Sequence, residues 1–422
     1  MASWRNWSGS VTAAPQSIAA PRTVAELQTL VAGAGRVRAA GAGHSFMPLC
    51  ETDGLLLDLS QMEGELEILE DGHGVWAPAG WPIHRLTAAL WEAGFSLANQ
   101  GDIDKQAIAG ALATGTHGTG ATLGSISTQA AGFSLILADG SRVVCDAARE
   151  PDLFEAQRVS LGALGIMERV KLNVLPAYRL KETLRPAPLE EVLADWDRLV
   201  AAHRHVEFFV FPYADTALLK TLDPVESGED PPPSTWLESA ALQFASDLTA
   251  AVPALAAPVQ RLLTRAMSAS SRAAPAHRIF PSERDTRFEE MEWELPAAQG
   301  PDALRAAMAQ VRSRGDPIIF PFEFRVVAAD DIWLSPMTGR ACVSISFHQY
   351  ARMPWRNAFA AMETLFRGFG GRPHWAKRHR LSSLDVLALY PKAPDWGAVR
   401  RRVDPEAKFL NDHLRALFEF SL

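Results

Sequence analysis

The chain has 422 residues, more than one hydrophobic core normally serves, which predicts about two domains. With 48% hydrophobic and 21% charged residues its composition is that of an ordinary globular protein, which excludes the disordered and fibrous classes. A formal net charge of −8 lacks the basic footprint of a nucleic-acid binder, and three distant cysteines, Cys50, Cys145 and Cys342, exclude a disulfide framework or a cysteine zinc site.

The first seven residues, Met1-Ala2-Ser3-Trp4-Arg5-Asn6-Trp7, lack the apolar run of a secretory leader. With cysteines that pattern as reduced thiols, a cytoplasmic location is expected. Thr23 caps a predicted helix that carries Leu27, Leu30 and Val31 on one side. A strand then enters a glycine loop at 41–45, and further strands are predicted at 55–59, 66–70 and 75–78, the last two joined by Asp71-Gly72. Pro82 opens a helix to about Ala93, with Gly94 as its stop. Segments 133–137 and 142–145 read as a hairpin turned by Asp139-Gly140, and this alternation ends near Pro176.

Beyond it, strands are predicted at 206–211, 318–327 and 341–347, with helices near 189–202, 303–314 and 355–369. The prolines in 226–234 predict a surface loop. The aliphatic stretch 240–267 is broken by Asp247, Pro253, Pro258 and Arg261, so it is expected to form helices and not a membrane span.

The residues that carry chemistry fall in short clusters. Arg38 leads into Gly41-Ala42-Gly43-His44-Ser45-Phe46, where two glycines let backbone N–H groups crowd around an anion and a ring nitrogen sits beside a hydroxyl. A dinucleotide fingerprint fails because Phe46 holds the third glycine position and Pro48 follows. A nucleophile elbow around Ser45 fails for want of its flanking glycines. A second run, Gly110 to Gly120, is made of small residues and hydroxyls and predicts a loop that lies against something flat or charged. Ser160-Leu161-Gly162-Ala163-Leu164-Gly165-Ile166 repeats the theme, though a glycine-relieved strand would look the same. Glu323 and Arg325 are two apart in a strand and share a face, as a substrate clamp or as a plain ion pair. Lys377 could hold positive charge beside a reacting group. His374 and His379 are five apart with no accompanying carboxylate motif, so no metal site is expected. No side chain can accept a hydride, so redox chemistry here requires a cofactor.

Together these motifs identify a resemblance. G-A-G-H-S at 41–45, G-D-I-D-K-Q at 101–106, A-T-G-T-H-G-T-G at 113–120, S-L-G-A-L-G at 160–165, E-F-R at 323–325, L-S-P at 334–336, H-Q-Y at 348–350, R-P-H-W-A-K at 372–377 and K-F-L-N-D at 408–412 stand in the order seen in vanillyl-alcohol-oxidase-type FAD flavoproteins. Within these, the chain resembles the sugar-1,4-lactone oxidases (gulonolactone and arabinonolactone oxidases) and the alditol oxidases. Residues 225–300 match no motif of that pattern.

The resemblance implies an α+β, two-domain FAD-binding (PCMH-type) fold with a mixed-sheet α+β substrate (cap) domain. The implied divisions are an FAD-binding domain at 1–176, a cap domain at 177–370 and a C-terminal segment at 371–422 that returns to the FAD domain. It implies FAD attached covalently through His44. Cofactor contacts are expected from Arg38, Gly41, Ala42, Gly43, His44, Ser45, Phe46, Gly101, Asp102, Gly110, Ala113, Thr114, Gly115, His117, Gly118, Ser160, Gly165, Ile166 and Lys377. The expected catalytic group is Glu323, Arg325, His348 and Lys377.

The implied reaction is hydride transfer from a lactone hydroxyl carbon, as in L-gulono-1,4-lactone, to flavin N5, with O2 reduced to hydrogen peroxide. Gly101 stands where relatives that exclude oxygen tend to carry alanine. An alditol oxidase acting on xylitol or sorbitol, or a dehydrogenase with another acceptor, is the alternative. The expected partners are thus a small sugar lactone or polyol and molecular oxygen, without nucleic acid or a membrane span. A noncatalytic flavin carrier and a hydrolase using Ser45 or a histidine remain the rival classes.

Overall fold

The structure is a computed structural model that describes residues 2–228, 240–282 and 286–419. Thr23 caps the helix Val24–Gly33 reciprocally: its hydroxyl accepts from the Glu26 N–H, and the Glu26 carboxylate accepts from the Thr23 N–H. That helix buries Leu27 and Val31 over a parallel sheet of β1 (Ser17–Ala19), β2 (Val37–Ala39) and β3 (Leu55–Leu57), with β3 in the middle.

A five-stranded antiparallel sheet follows from β4 (Glu67–Ile68), β5 (Gly74–Pro78), β6 (Ala130–Ile136), β7 (Arg142–Cys145) and β8 (Ile166–Asn173), in the order β7-β6-β8-β5-β4. Both expected hairpins are present in it. The helix Ile83–Glu92 begins after Pro82, and Gly94 takes the left-handed φ of +87° that ends it. The core of this region also receives Tyr390, Trp396, Leu414 and Phe418 from helices after residue 383, and Ile332 and Leu334 from the intervening segment. Trp396 fixes one of these contacts by donating to the Ala156 carbonyl.

The larger sheet has eight antiparallel strands: β9 (Arg179–Pro188), β10 (His205–Val210), β11 (Thr216–Val225), β12 (Ser270–Pro275), β13 (Phe288–Pro296), β14 (Phe322–Val327), β15 (Cys342–Tyr350) and β16 (Arg372–Pro373). Their order is β12-β9-β11-β10-β14-β15-β13-β16. Register makes its two faces chemically opposite. Leu219, Phe208, Phe324, Ile345 and Trp293 pair across five strands and pack beneath the helices Leu189–Ala194, Trp196–Ala202, Gly300–Arg314 and Arg356–Gly368. One residue further, Lys220, Glu207, Arg325, Ser344 and Glu294 pair across the same strands on the other face.

Three expectations need correction. The strand read from 318 starts at Phe322, because Pro321 has no N–H for the ladder. The helix read over 189–202 breaks into two at Asp195, whose backbone leaves the helical region. The run read as a loop from Gly110 is instead the end of a helix, Ile108–Thr114, since Ala and Leu favour helix and Gly115 closes it at φ +73°. The 226–234 loop lies mostly outside the described residues. The 240–267 stretch forms the helices Ala240–Ala251 and Ala256–Arg265, and no helix among the described residues is long and apolar enough to cross a membrane.

Candidate active site

A concave, mostly apolar cavity opens between the loop after β2, the helix Ile108–Thr114 and the turn before β8, the kind of surface that takes small molecules and cofactors. Of the expected cofactor residues, Arg38, Gly41, Ala42, Gly43, His44, Ser45, Gly110, Ala113, Thr114, Ser160, Gly165 and Ile166 line it. Gly41 is needed for closeness: a Cβ there would stand 2.8 Å from the Ala107 Cβ. Gln106 and Gln157 line the same cavity, and each has a buried side-chain oxygen with no protein partner among the described residues. Glycines, small walls and unmatched amide oxygens fit a flat ligand with polar edges.

Arg38 lines this cavity as a buried cation held by backbone carbonyls. Its guanidinium donates to the carbonyls of Leu49, Leu161, Gly162 and Phe409 at 2.5–2.8 Å. Burial lowers its pKa to about 10.

Phe46, Gly101, Asp102, Gly115, His117, Gly118 and Lys377 lie outside the cavity lining. Phe46 packs on Phe288 and Trp7. Gly118 is a packing position, because a Cβ would meet the Gln100 carbonyl oxygen at 2.3 Å. Asp102 pairs with Arg325 at 2.5 Å. His117 reaches the large sheet, with Nε2 3.2 Å from Glu294 and 3.3 Å from Glu292, and Nδ1 2.9 Å from the Gly118 carbonyl. Acceptors therefore face both ring nitrogens, so both carry hydrogen and the ring is a cation.

The polar face of the large sheet gathers the expected catalytic residues. Arg325 donates to Glu207 at 2.8 Å and to Asp102, and it also pairs with Glu323. Lys220 holds the far side of Glu207 at 2.8 Å. Lys377 Nζ lies 2.5 Å from Glu290, 3.8 Å from Glu292 and 5.3 Å from the Phe46 ring centroid. His348 Nε2 lies 3.2 Å from Glu290. His44 stacks on Trp7 at 5.3 Å. Burial first, and then the Lys377 charge, lower its pKa to about 4, so its imidazole is neutral.

Sequence reading missed Glu207, Lys220, Glu290, Glu292 and Glu294. The last three alternate with Met291, Trp293 and Leu295 in β13, a period-2 signal visible in the sequence but attached to no motif. His117, Glu292 and His374 offer ligand atoms within 4.8 Å of one another. His374 Nδ1, however, accepts from the Ala376 N–H, which leaves the ring proton on Nε2 and suits a hydrogen-bonded group better than a metal site.

Residues 170–417 match the family described as D-arabinono-1,4-lactone oxidase. The chain belongs to the D-arabinono-1,4-lactone oxidase family. Residues 15–146 match the FAD binding domain, so the cofactor of this family member is FAD. L-gulono-1,4-lactone dehydrogenase of Mycobacterium tuberculosis is 37% identical over 98% of both chains. L-gulonolactone oxidase of Mus musculus is 29% identical, and alditol oxidase of a Streptomyces species 30%, each over 98% of both chains. A solvent-stable cholesterol oxidase superposes with a TM-score of 0.85 over 98% of this chain and 97% of its own, at 17% identity, a likeness of fold. The lactone-oxidase family member is thus an α+β, FAD-binding flavoprotein of the vanillyl-alcohol-oxidase type.

The His117 cation gives a pH prediction. Although burial opposes its charge, Glu294 and Glu292 raise its pKa to about 10. The stabilisation from this group is complete below the unfolded value of about 6.5 and is lost as pH rises toward 10. His117→Gln should melt lower than wild type at pH 6.5, with the difference shrinking by pH 10. Thermal melts across that range check it, and a constant difference would refute the assignment.

Proposed function

We propose that the chain oxidises a ring hydroxyl of a sugar-1,4-lactone of the L-gulono type, using FAD bound in the cavity behind His44. The observation that carries this is the convergence of Glu323–Arg325, His348 and Lys377 on one sheet face beside that histidine. FAD, when bound, supplies the hydride acceptor. The chain's own groups do the rest. Glu323 and Arg325 offer an acceptor and a forked donor to vicinal hydroxyls. Lys377 places positive charge against the cavity's His44 end, where negative charge would develop.

Covalent attachment at His44 is part of the proposal. A neutral imidazole keeps a nucleophilic lone pair, and the burial and Lys377 charge that lower its pKa to about 4 keep it neutral at physiological pH. The cofactor-contact set, the division at 1–176, 177–370 and 371–422, and oxygen as acceptor belong to the same reading.

The deciding experiment mixes the purified yellow protein anaerobically with L-gulono-1,4-lactone and, separately, with xylitol. Rapid bleaching by the lactone is expected, followed by peroxide when air is admitted. Bleaching by xylitol alone would make the chain an alditol oxidase. Bleaching by neither would leave a flavin carrier, and a colourless preparation that takes up no FAD would end the reading. Colour retained by the acid-precipitated protein tests the link at His44.

Gly101 supplies a separate prediction on oxygen. A Cβ there would stand 3.1 Å from the His117 carbonyl oxygen and 3.2 Å from Thr116 Cγ2, tighter than ordinary contact. Gly101→Ala should slow reoxidation by O2 on the order of tenfold while flavin reduction changes little. Stopped-flow measurement of both half-reactions checks it, and equal slowing would refute a gate.

A further inference from the structure

Residues 4–13 precede the part of the chain that matches the FAD binding domain, yet they pack on the His44 loop. Trp4–Arg5 pairs antiparallel with Thr12–Ala13, and the turn between them is closed by the Gly9 N–H donating to the Asn6 carbonyl at 3.0 Å. Asn6 locks this ribbon: its side chain accepts from the Val11 N–H and donates to Ser8 Oγ, each at 3.0 Å. The same amide nitrogen donates to the Ser45 carbonyl at 3.0 Å, and the Trp7 N–H donates to the Gly43 carbonyl at 2.8 Å. Gly43 permits this approach, since a Cβ there would stand 3.2 Å from Trp4 Cζ2 and 3.3 Å from Asn6 Cα.

The ribbon also meets the imidazole itself. The Trp7 indole and the His44 ring stack with centroids 5.3 Å apart and planes 29° from parallel, within the range of an offset aromatic pair. Trp7 is wedged in turn, edge-on to Phe46 at 6.4 Å and to Phe288 at 5.1 Å. Arg378 secures the turn by donating to Ser10 Oγ at 2.7 Å while its Nε holds Glu289 at the same distance. No hydrogen bond from the described residues reaches the His44 ring nitrogens. Packing against Trp7 therefore sets how that ring turns about its Cβ–Cγ bond.

We propose that Trp7 is a positioning residue for covalent flavin attachment: its indole holds the His44 imidazole in the orientation from which a ring nitrogen bonds the cofactor. This rests on the reading of His44 as the attachment point. The new bond joins that nitrogen to the 8-methyl carbon of the flavin. One C–H bond and the imidazole N–H break, and the two protons and two electrons released convert O2 to hydrogen peroxide. A ring free to rotate reaches the bonding geometry in a smaller share of its orientations, which slows attachment.

The test uses the full chain, produced in riboflavin-starved cells and then mixed with FAD in air. Colour that stays with acid-precipitated protein measures attachment, and quenching of flavin fluorescence before acid measures reversible binding. Wild type should link FAD, and His44→Ala should bind it without linking. Trp7→Leu should bind FAD with nearly wild-type affinity and link it on the order of 10- to 100-fold more slowly. Trp7→Phe, which keeps an aromatic face, should recover most of the rate. In the flavin-free protein, the carbon-bound ring protons of His44, assigned by their loss in His44→Ala, should be shielded by the indole. Trp7→Leu should abolish that shielding.

Linking at the wild-type rate in Trp7→Leu overturns the proposal, as does a Trp7→Phe protein as slow as the Leu variant. Loss of reversible FAD binding in Trp7→Leu overturns it too, because Trp7 would then build the cavity and not orient the ring. If the Leu protein does not fold, Trp7→Met takes its place, and unshielded His44 protons in the wild type would still refute the stack. A wild type that binds FAD but releases all of it in acid fails the attachment reading, and the proposal with it. A wild type that links FAD while the Trp7 variants link it equally fast fails the proposal alone.

Discussion

Arg325→Met is expected to produce the largest loss, in both stability and turnover. Arg325 is buried among Asp102, Glu207 and Glu323, which raise its pKa well above the ordinary value although burial lowers it. Removing it leaves three carboxylates without their shared cation. Breaking a buried pair in this way costs about 3–5 kcal/mol, because the remaining charge keeps its desolvation penalty and loses its partner. Loss of the forked donor should also reduce the limiting rate of flavin reduction on the order of 10²–10³-fold.

Urea unfolding and anaerobic stopped flow measure the two effects. The double variant Arg325→Met/Glu323→Gln separates them: it should regain part of the stability, since one of three crowded negative charges is gone, and none of the turnover. A single variant as stable as wild type would mean that water, and not Arg325, solvates these carboxylates.

Arg38→Met ranks second, through the cofactor cavity. The guanidinium binds four carbonyls from three segments of chain, around residues 49, 161–162 and 409. Each buried carbonyl left without a donor costs about 1–3 kcal/mol, less where water can enter. The side chain thus ties the loop after β2 to the turn before β8 and to the C-terminal segment. Its loss should lower the urea midpoint and the flavin content of the purified protein together. Arg38→Lys should not rescue, because an ammonium lacks the planar fork that spans three segments. A variant with wild-type flavin content would show that the cavity holds its shape without this tie.

Both predictions turn on contacts of long sequence separation, and these mark what was legible beforehand. The helix cap at Thr23, the Asp71-Gly72 and Asp139-Gly140 hairpins and the Gly94 stop follow from local geometry, and each is where the sequence places it. The glycine loop at 41–45 was recognisable because steric permissiveness is written in residue type. The helix Ile108–Thr114 was not, because the same small residues serve a backbone cradle and a closely packed helix. The carbonyl partners of Arg38 were equally hidden, because three of the four stand more than a hundred residues along the chain.

The acidic strand β13 is the clearest case. Glu290, Glu292 and Glu294 show their common face by alternation, but the cations that meet that face, Lys377 and His117, come from segments outside the sheet and far from β13 along the chain. Sequence by itself determined the local elements, because those rest on short-range patterns of size, charge and backbone freedom, and it pointed to the family and its flavin through the resemblance that its ordered motifs carry. Tertiary structure alone decided the proton and charge state of the site. A buried charge is set by whatever lies within a few ångströms, and in a sheet those neighbours come from strands that the chain order does not place side by side.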